Sequence, residues 1–202
     1  MAVGRLIAKR NVDGVCNEIV NGNSMIFRLS QKLNTKIKAG ALDSVPLDEN
    51  PYADWSAHLF AVNRTQYIIL SNTKSLYSCV MFGKGITNDS VFIERAVSTI
   101  REFMQDDGQQ FAYRKFIAPA SGTVQFAKAL NRSITGSMND LINHATYWLA
   151  EDDLSPHDLG FRLNDTLLSA LATEKSRGYG KPNEAFKLLA GHRQPNGTGE
   201  GL

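Results

Sequence analysis

Three polar side chains are spaced so that they could act together on one face of a helix. Asp140, His144 and Tyr147 follow one another at intervals of four and three residues, which places them on neighbouring turns of the same side. An aspartate one turn before a histidine can orient the imidazole and raise its basicity, which is half of a general-base arrangement. Solvent-exposed pairs of this kind are common in helices and contribute only about 0.3–0.5 kcal/mol. We therefore favour a surface pair, and a hydrolase or nuclease-like enzyme using Asp140 and His144 is the alternative.

The segment before this histidine combines a glycine with several hydrogen-bonding side chains. Ser137 is predicted to cap the start of the helix, with Asp140 as its reciprocal partner three residues later. Backbone amides exposed at a helix start attract anions, so a phosphate or carboxylate site is predicted near Arg132, Gly136 and Ser137. The competing interpretation is that Arg132, Asn139 and their neighbours only hold the turn together through bonds to the backbone.

The histidines do not predict a metal centre. The chain has four, and none shows the His-x-x-x-His spacing of a helical zinc site. His58 follows Trp55 in a predicted strand and would join His144 in a site only if the fold brought them together. The sequence therefore predicts no metal and no cofactor, and it favours a hydrogen-bonded His58 near the surface of a sheet.

Composition and charge are those of an ordinary globular domain. The 202 residues are 43% hydrophobic and 21% charged, with a net charge of +2, which favours neither a strongly basic nor a strongly acidic binder. A modest basic C-terminal region leaves a nucleic-acid-binding accessory protein of a mobile element as a further alternative. There is no run of 18 apolar residues to span a membrane. Cys16 and Cys79 are far apart, so we expect free thiols and a reducing cytoplasm.

Hydrophobic periodicity predicts the elements that must position these residues. Alternating or continuous apolar runs indicate strands, and apolar stripes indicate helices. The predicted strands cover 25–30, 57–62, 67–71, 76–82 and 122–128, and the main helices cover 90–107 and 137–149, with shorter helices at 31–38, from Ser155 and at 183–189. The run 111–117 fits a helix end or a strand equally well. Strands 57–82 are apolar on both sides, which predicts a sheet covered on both faces.

Together these elements predict an α+β fold with a single domain. A mainly antiparallel sheet, containing a three-strand meander, packs against two or more amphipathic helices. The domain is expected to span 25–189. Residues 1–24 are predicted to be an N-terminal extension, and the glycine-rich stretch 190–202 a disordered C-terminal tail.

Five segments carry a resemblance to a known family. They are 25–33, 54–59, 71–77, 131–141 and 163–166, and the Gly-Ser-Met-Asn-Asp stretch at 136–140 is the most specific. Over residues 25–187 the chain resembles the bacterial family of domain of unknown function 6933. The resemblance implies a small cytoplasmic bacterial protein and carries no activity with it. It marks as positions worth testing Trp55, His58, Asn72, Arg132, Ser137, Asn139 and Asp140.

The polar density of 131–144, without a recognisable catalytic set, favours a non-enzymatic binding or regulatory module. We expect its site near residues 131–144 to take an anionic small molecule or a protein partner. A homo-oligomer is a further alternative, a nucleic-acid partner is less favoured, and no membrane association is expected.

Overall fold

The computed structural model describes residues 24–152, 154–172 and 178–189. Apart from Ser24, the predicted N-terminal extension and the predicted C-terminal tail both lie outside these residues.

The described residues form five strands and six α-helices. In chain order they are β1 (Met25–Leu29), α1 (Gln31–Ile37), β2 (Asp54–Val62), β3 (Thr65–Asn72), β4 (Ser78–Phe82), α2 (Asp89–Asp106), α3 (Gln110–Ala112), β5 (Val124–Ala127), α4 (Arg132–Glu151), α5 (Pro156–Asn164) and α6 (Pro182–Leu188). A π-helical turn, Tyr113–Ile117, continues α3, so the run that fitted either a helix or a strand is helical. A 3-10 turn, Ser169–Leu171, follows α5.

The strands form one sheet in the order β4-β3-β2-β1-β5. β2, β3 and β4 are the predicted antiparallel meander. β1 runs parallel to both of its neighbours, β2 and β5, so the chain must cross over between β1 and β2, which it does through α1 and the long loop that follows. Most paired residues are antiparallel, which confirms the predicted α+β class.

Helices cover both faces of this sheet, as the apolar strands predicted. On one face Phe27, Trp55 and Leu70 lie in a cluster with residues of α1, α2 and α6. On the other face Phe60 and Ile69 lie in a second cluster with residues of α4 and α5. The two long helices, α2 and α4, therefore lie on opposite sides of the sheet.

α4 begins one and a half turns earlier than the sequence indicated, and the predicted cap at Ser137 was wrong. The N-cap is Asn131, whose side-chain oxygen accepts a hydrogen bond from the Ile134 amide at 2.9 Å. Ser137 lies inside the helix and donates its hydroxyl to the Ser133 carbonyl at 3.1 Å. Polar residues such as Asn, Ser and Thr usually favour turns, but Ile134 and Met138 pack against the core and hold this segment helical.

A buried ion pair joins the first two strands to the loop between them. Arg28 and Asp54 are at most 1% exposed, and the Arg28 Nε and Nη2 atoms donate to the two carboxylate oxygens at 2.8 and 2.7 Å. The other Arg28 hydrogens are donated to the carbonyls of Val45, Pro46 and Lys128. One guanidinium thus ties together β1, β2, the loop after α1 and the chain leaving β5.

The outer edge of β4 is closed by a side chain from α5. Asn164 is buried, its Oδ1 accepts from the Ser78 amide at 2.7 Å, and its Nδ2 donates to the Ser78 carbonyl at 3.0 Å. The side-chain amide therefore takes the place that a neighbouring strand would occupy. This contact protects the edge strand from pairing with another chain at that residue.

We expect Asn164→Ala to lower the free energy of unfolding by about 2–4 kcal/mol, because two buried backbone groups of Ser78 would lose their partners. Urea unfolding measures the change. Asn143→Ala, which removes an exposed amide from α4, is the matched control and should change stability by less than about 0.5 kcal/mol. Equal, small changes in both variants would contradict the role assigned to Asn164.

Candidate functional site

The residues singled out from the sequence fall into two separate groups. Trp55, His58 and Asn72 are buried in the sheet, whereas Arg132, Asn139, Asp140 and His144 are exposed on α4. Among the described residues no hydrogen bond, ion pair or ring contact links one group to the other. The fold therefore does not gather them into one pocket.

The polar atoms of Trp55 and Asn72 are engaged inside the protein. The Trp55 indole nitrogen donates to the Tyr52 carbonyl at 2.8 Å. The Asn72 Nδ2 donates to the Pro51 carbonyl at 2.6 Å, and its Oδ1 accepts from the amide and the hydroxyl of Ser75. These contacts fix the start of β2 and the turn between β3 and β4, and they explain why the sequence has these residue types there.

A row of buried hydroxyls, which was not predicted from the sequence, crosses the meander. Ser56, Ser71 and Ser78 pair across β2, β3 and β4, and each is at most 2% exposed. The Ser71 and Ser78 hydroxyls lie 2.6 Å apart, and those of Ser56 and Thr73 lie 3.0 Å apart. Small polar residues at paired positions were the available signal. Because these hydroxyls bond to one another and not to a histidine or carboxylate, the row lacks the base that a nucleophile requires.

The expected hydrogen bond of His58 is not present among the described residues. Its side chain shares the face of β2 with Phe60 and Val62, which pack beneath α4 and α5. It is 7% exposed and forms no hydrogen bond with any described residue. Burial disfavours the charged imidazolium and lowers the pKa of His58 to about 4. At neutral pH this histidine is therefore uncharged.

Asp140 and His144 do not form the general-base pair that their spacing allows. Both are exposed, and no hydrogen bond or ion pair joins them. The His144 ring instead stacks on Trp148, with the ring centroids 5.5 Å apart and the planes inclined by 25°. Nor does the described part of the chain contain a cluster of three His, Cys, Asp or Glu side chains able to hold a metal ion.

The predicted anion site at the amides of Gly136 and Ser137 is not formed. Because α4 starts at Arg132, both amides lie beyond the first turn, where the backbone donors already bond to carbonyls of the preceding turn. The amides at the actual helix start are those that follow Asn131. One of them, the Ile134 amide, donates a hydrogen bond to the Asn131 side chain.

What remains is an exposed polar surface, which we call the α4 face: Arg132, Ser133, Gly136, Asn139, Asp140 and Asn143. Gly136 is nine residues, or about two and a half turns, from the fully buried Ala145, so the two residues are on opposite sides of the helix. Gly136 is therefore at the centre of the α4 face. A Cβ atom added at Gly136 would meet nothing within 4 Å. Arg132 and Asp140 lie one turn to either side of Gly136, and neither makes an ion pair or hydrogen bond with a described residue.

A cleft of about 250 Å³ lies elsewhere, between α2 and the π-helical turn. Ile93 and Val97 form part of its lining, together with Arg101, Tyr113 and Ser121. Burial raises the pKa of the Tyr113 phenol, so it stays protonated. The cleft is on the side of the sheet opposite to α4 and contains none of the residues predicted to form a site.

Residues 26–185 match the family model described as Domain of unknown function (DUF6933). The chain belongs to this family. The match begins in β1 and ends in α6, so the DUF6933 domain includes the whole sheet, the buried ion pair and the α4 face. A comparison with curated proteins gave no match. Across the described residues, no helix of the DUF6933 domain combines the length and the apolar character needed to cross a membrane.

The buried, neutral His58 makes the stability of the DUF6933 domain sensitive to acid. Above pH 6.5 the imidazole is neutral in both folded and unfolded states. As the pH falls from about 6.5 to about 4, only the unfolded state takes up the proton, so stability decreases, by at most about 3 kcal/mol from this residue. We expect His58→Gln to lose less stability between pH 7 and pH 4.5 than the natural protein, as measured by urea unfolding.

The exposed His144 provides the control for this prediction, since His144→Gln should keep the pH dependence of the natural protein. If His58→Gln and the natural protein lost stability in parallel as the pH fell, the buried, neutral histidine would not be the cause.

Proposed function

We propose that this protein is a non-enzymatic binding module and that another protein docks on the α4 face. The observation that carries the proposal is Gly136, an exposed glycine inside a long helix. Glycine in a helix interior is about 1 kcal/mol less favourable than alanine. A glycine is useful inside a helix where another molecule must approach the helix backbone closely.

The fold itself gives no reason for a glycine at this position. Gly136 does not adopt a positive φ, and the space beside it is open. Gly160 in α5 shows the contrast, because a Cβ atom there would lie 2.5 Å from the Phe103 ring. Packing therefore explains Gly160. Packing among the described residues does not explain Gly136, which we attribute to a docked partner.

The shape and chemistry of the α4 face favour a protein over a small anion. The face is the convex side of a helix, whereas small ligands bind in concave sites. The hydroxyls of Thr135 and Ser137 are donated to helix carbonyls, so they are not free to bind a phosphate. Arg132, Asn139 and Asp140 have no side-chain partner among the described residues, and they offer both charges and an amide to a partner surface.

Cys79 supports a reducing, cytoplasmic location for this module. It is a free thiol buried in β4, and burial raises its pKa far above neutrality, so it is a packing residue of low reactivity. The bacterial origin and the association with a mobile element remain predictions from the sequence.

A photo-crosslinking residue at position 139, on the α4 face, tests the proposal in an extract of the native host. We expect an adduct of one defined mass that contains a second polypeptide. The same residue at position 105, exposed on α2, is the matched control and should give no such adduct. Gly136→Leu should abolish the adduct without lowering the melting temperature, because leucine favours a helix and the site is open.

Two results would refute a docking surface on α4: no polypeptide adduct from position 139, or the same adducts from positions 139 and 105.

A further inference from the structure

We infer that the partner on the α4 face is a second copy of this chain, with the two α4 helices antiparallel about a two-fold axis at Gly136. This inference rests on the proposed docking function and gives the partner its identity. It depends on the spacing of the charges on α4 and on the absence of partners for them within the described protein.

The α4 face is complementary to the α4 face of a second copy that is related to it by a two-fold axis at Gly136. Arg132 and Asp140 are each four residues from Gly136, so they lie about 6 Å from it along the helix in opposite directions. In an antiparallel pair, Arg132 is then level with the partner's Asp140, and Asp140 is level with the partner's Arg132. A two-fold interface of this kind repeats each contact twice.

The same charges select the orientation of the two helices. A parallel pair would place Arg132 opposite the partner's Arg132 and Asp140 opposite the partner's Asp140, which is repulsive. Both side chains are exposed on α4, and neither has an ion-pair partner among the described residues. Each charge is therefore available to a second molecule, and only the antiparallel arrangement pairs both.

Gly136 and its polar neighbours fit the same axis. Glycine at the axis lets the two helix backbones approach closely, as a side chain there would meet its own copy. Ser133 and Asn139 are each three residues from Gly136, so the pairing brings the Asn139 amide level with the partner's Ser133 hydroxyl. Hydrogen bonds between these groups would help to fix the orientation of the two helices, because the interface has little apolar surface.

An interface of this size and polarity makes a weak, reversible dimer. It relies on two solvent-exposed ion pairs, which are individually modest and are screened by salt. Dimerisation should therefore depend on protein concentration and weaken as the ionic strength rises. These properties suit a module whose association is regulated.

Charge exchange between two variants of the full chain tests the pairing by sedimentation velocity at low salt. Arg132→Asp and Asp140→Arg each place like charges opposite one another in both contacts, so each variant alone should dimerise at least about tenfold more weakly than the natural protein. An equimolar mixture restores both ion pairs, so we expect a heterodimer with an affinity close to the natural one.

Two further variants separate pairing from general effects. Arg101→Asp changes an exposed charge on α2 and should leave dimerisation unchanged. Gly136→Leu should abolish the dimer while the melting temperature of the monomer is kept or raised, which distinguishes a lost interface from a lost fold.

A natural protein that stays monomeric at millimolar concentration would overturn the inference, as would a mixture of the two charge variants that fails to recover the dimer. The mass of the crosslinked adduct separates this failure from that of the proposed function. Twice the chain mass supports a second copy, another defined mass leaves the docking face but refutes self-association, and no adduct refutes both.

Discussion

The buried ion pair between Arg28 and Asp54 holds β1, β2, the loop after α1 and the chain after β5 together. Removing two charges from water is unfavourable, and a buried pair is tolerated only when its geometry is good and every remaining hydrogen-bonding group has a partner. Here the guanidinium meets the carboxylate through two nitrogen atoms and donates its other hydrogens to three carbonyls. Satisfying them requires the loop after α1 and the chain after β5 to lie where they do, so the pair determines how β1 joins the meander.

The polar side chains of the interior are bonded within the protein, whereas the candidate functional surface is on the outside. Arg28, Asp54, Asn72 and Asn164 are all buried and bonded within the protein. They specify the register of the strands and close the edge of the sheet. The polar groups of the segment 131–144 that have no partner among the described residues are on the α4 face.

The sequence predicted the fold well because local patterns determine most of it. The meander, α2 and α5 followed from apolar periodicity. The structure shows Ser155, where the last of these was predicted to start, as its N-cap, with a hydroxyl that accepts from the Asp158 amide. The start of α4 was mispredicted because the local preference of Asn131 to Thr135 for a turn was outweighed by tertiary packing. The ion pair was missed because its members are 26 residues apart, and no local pattern reports such a contact. The lowered pKa of His58 likewise depends on burial beneath α4 and α5, which come much later in the chain.

The stability and the amide hydrogen exchange of Asp54→Asn show whether the ion pair holds these segments together. We expect a loss of about 3–5 kcal/mol in the free energy of unfolding, because Arg28 would keep its charge in the interior without a counter-ion. The amides of 43–48 and of β1 should lose protection together. Asp165→Asn, which breaks the exposed ion pair with Lys181, should change stability by less than about 1 kcal/mol. If Asp54→Asn lost as little stability as that and the protection of 43–48 were unchanged, the ion pair would not be what holds these segments together.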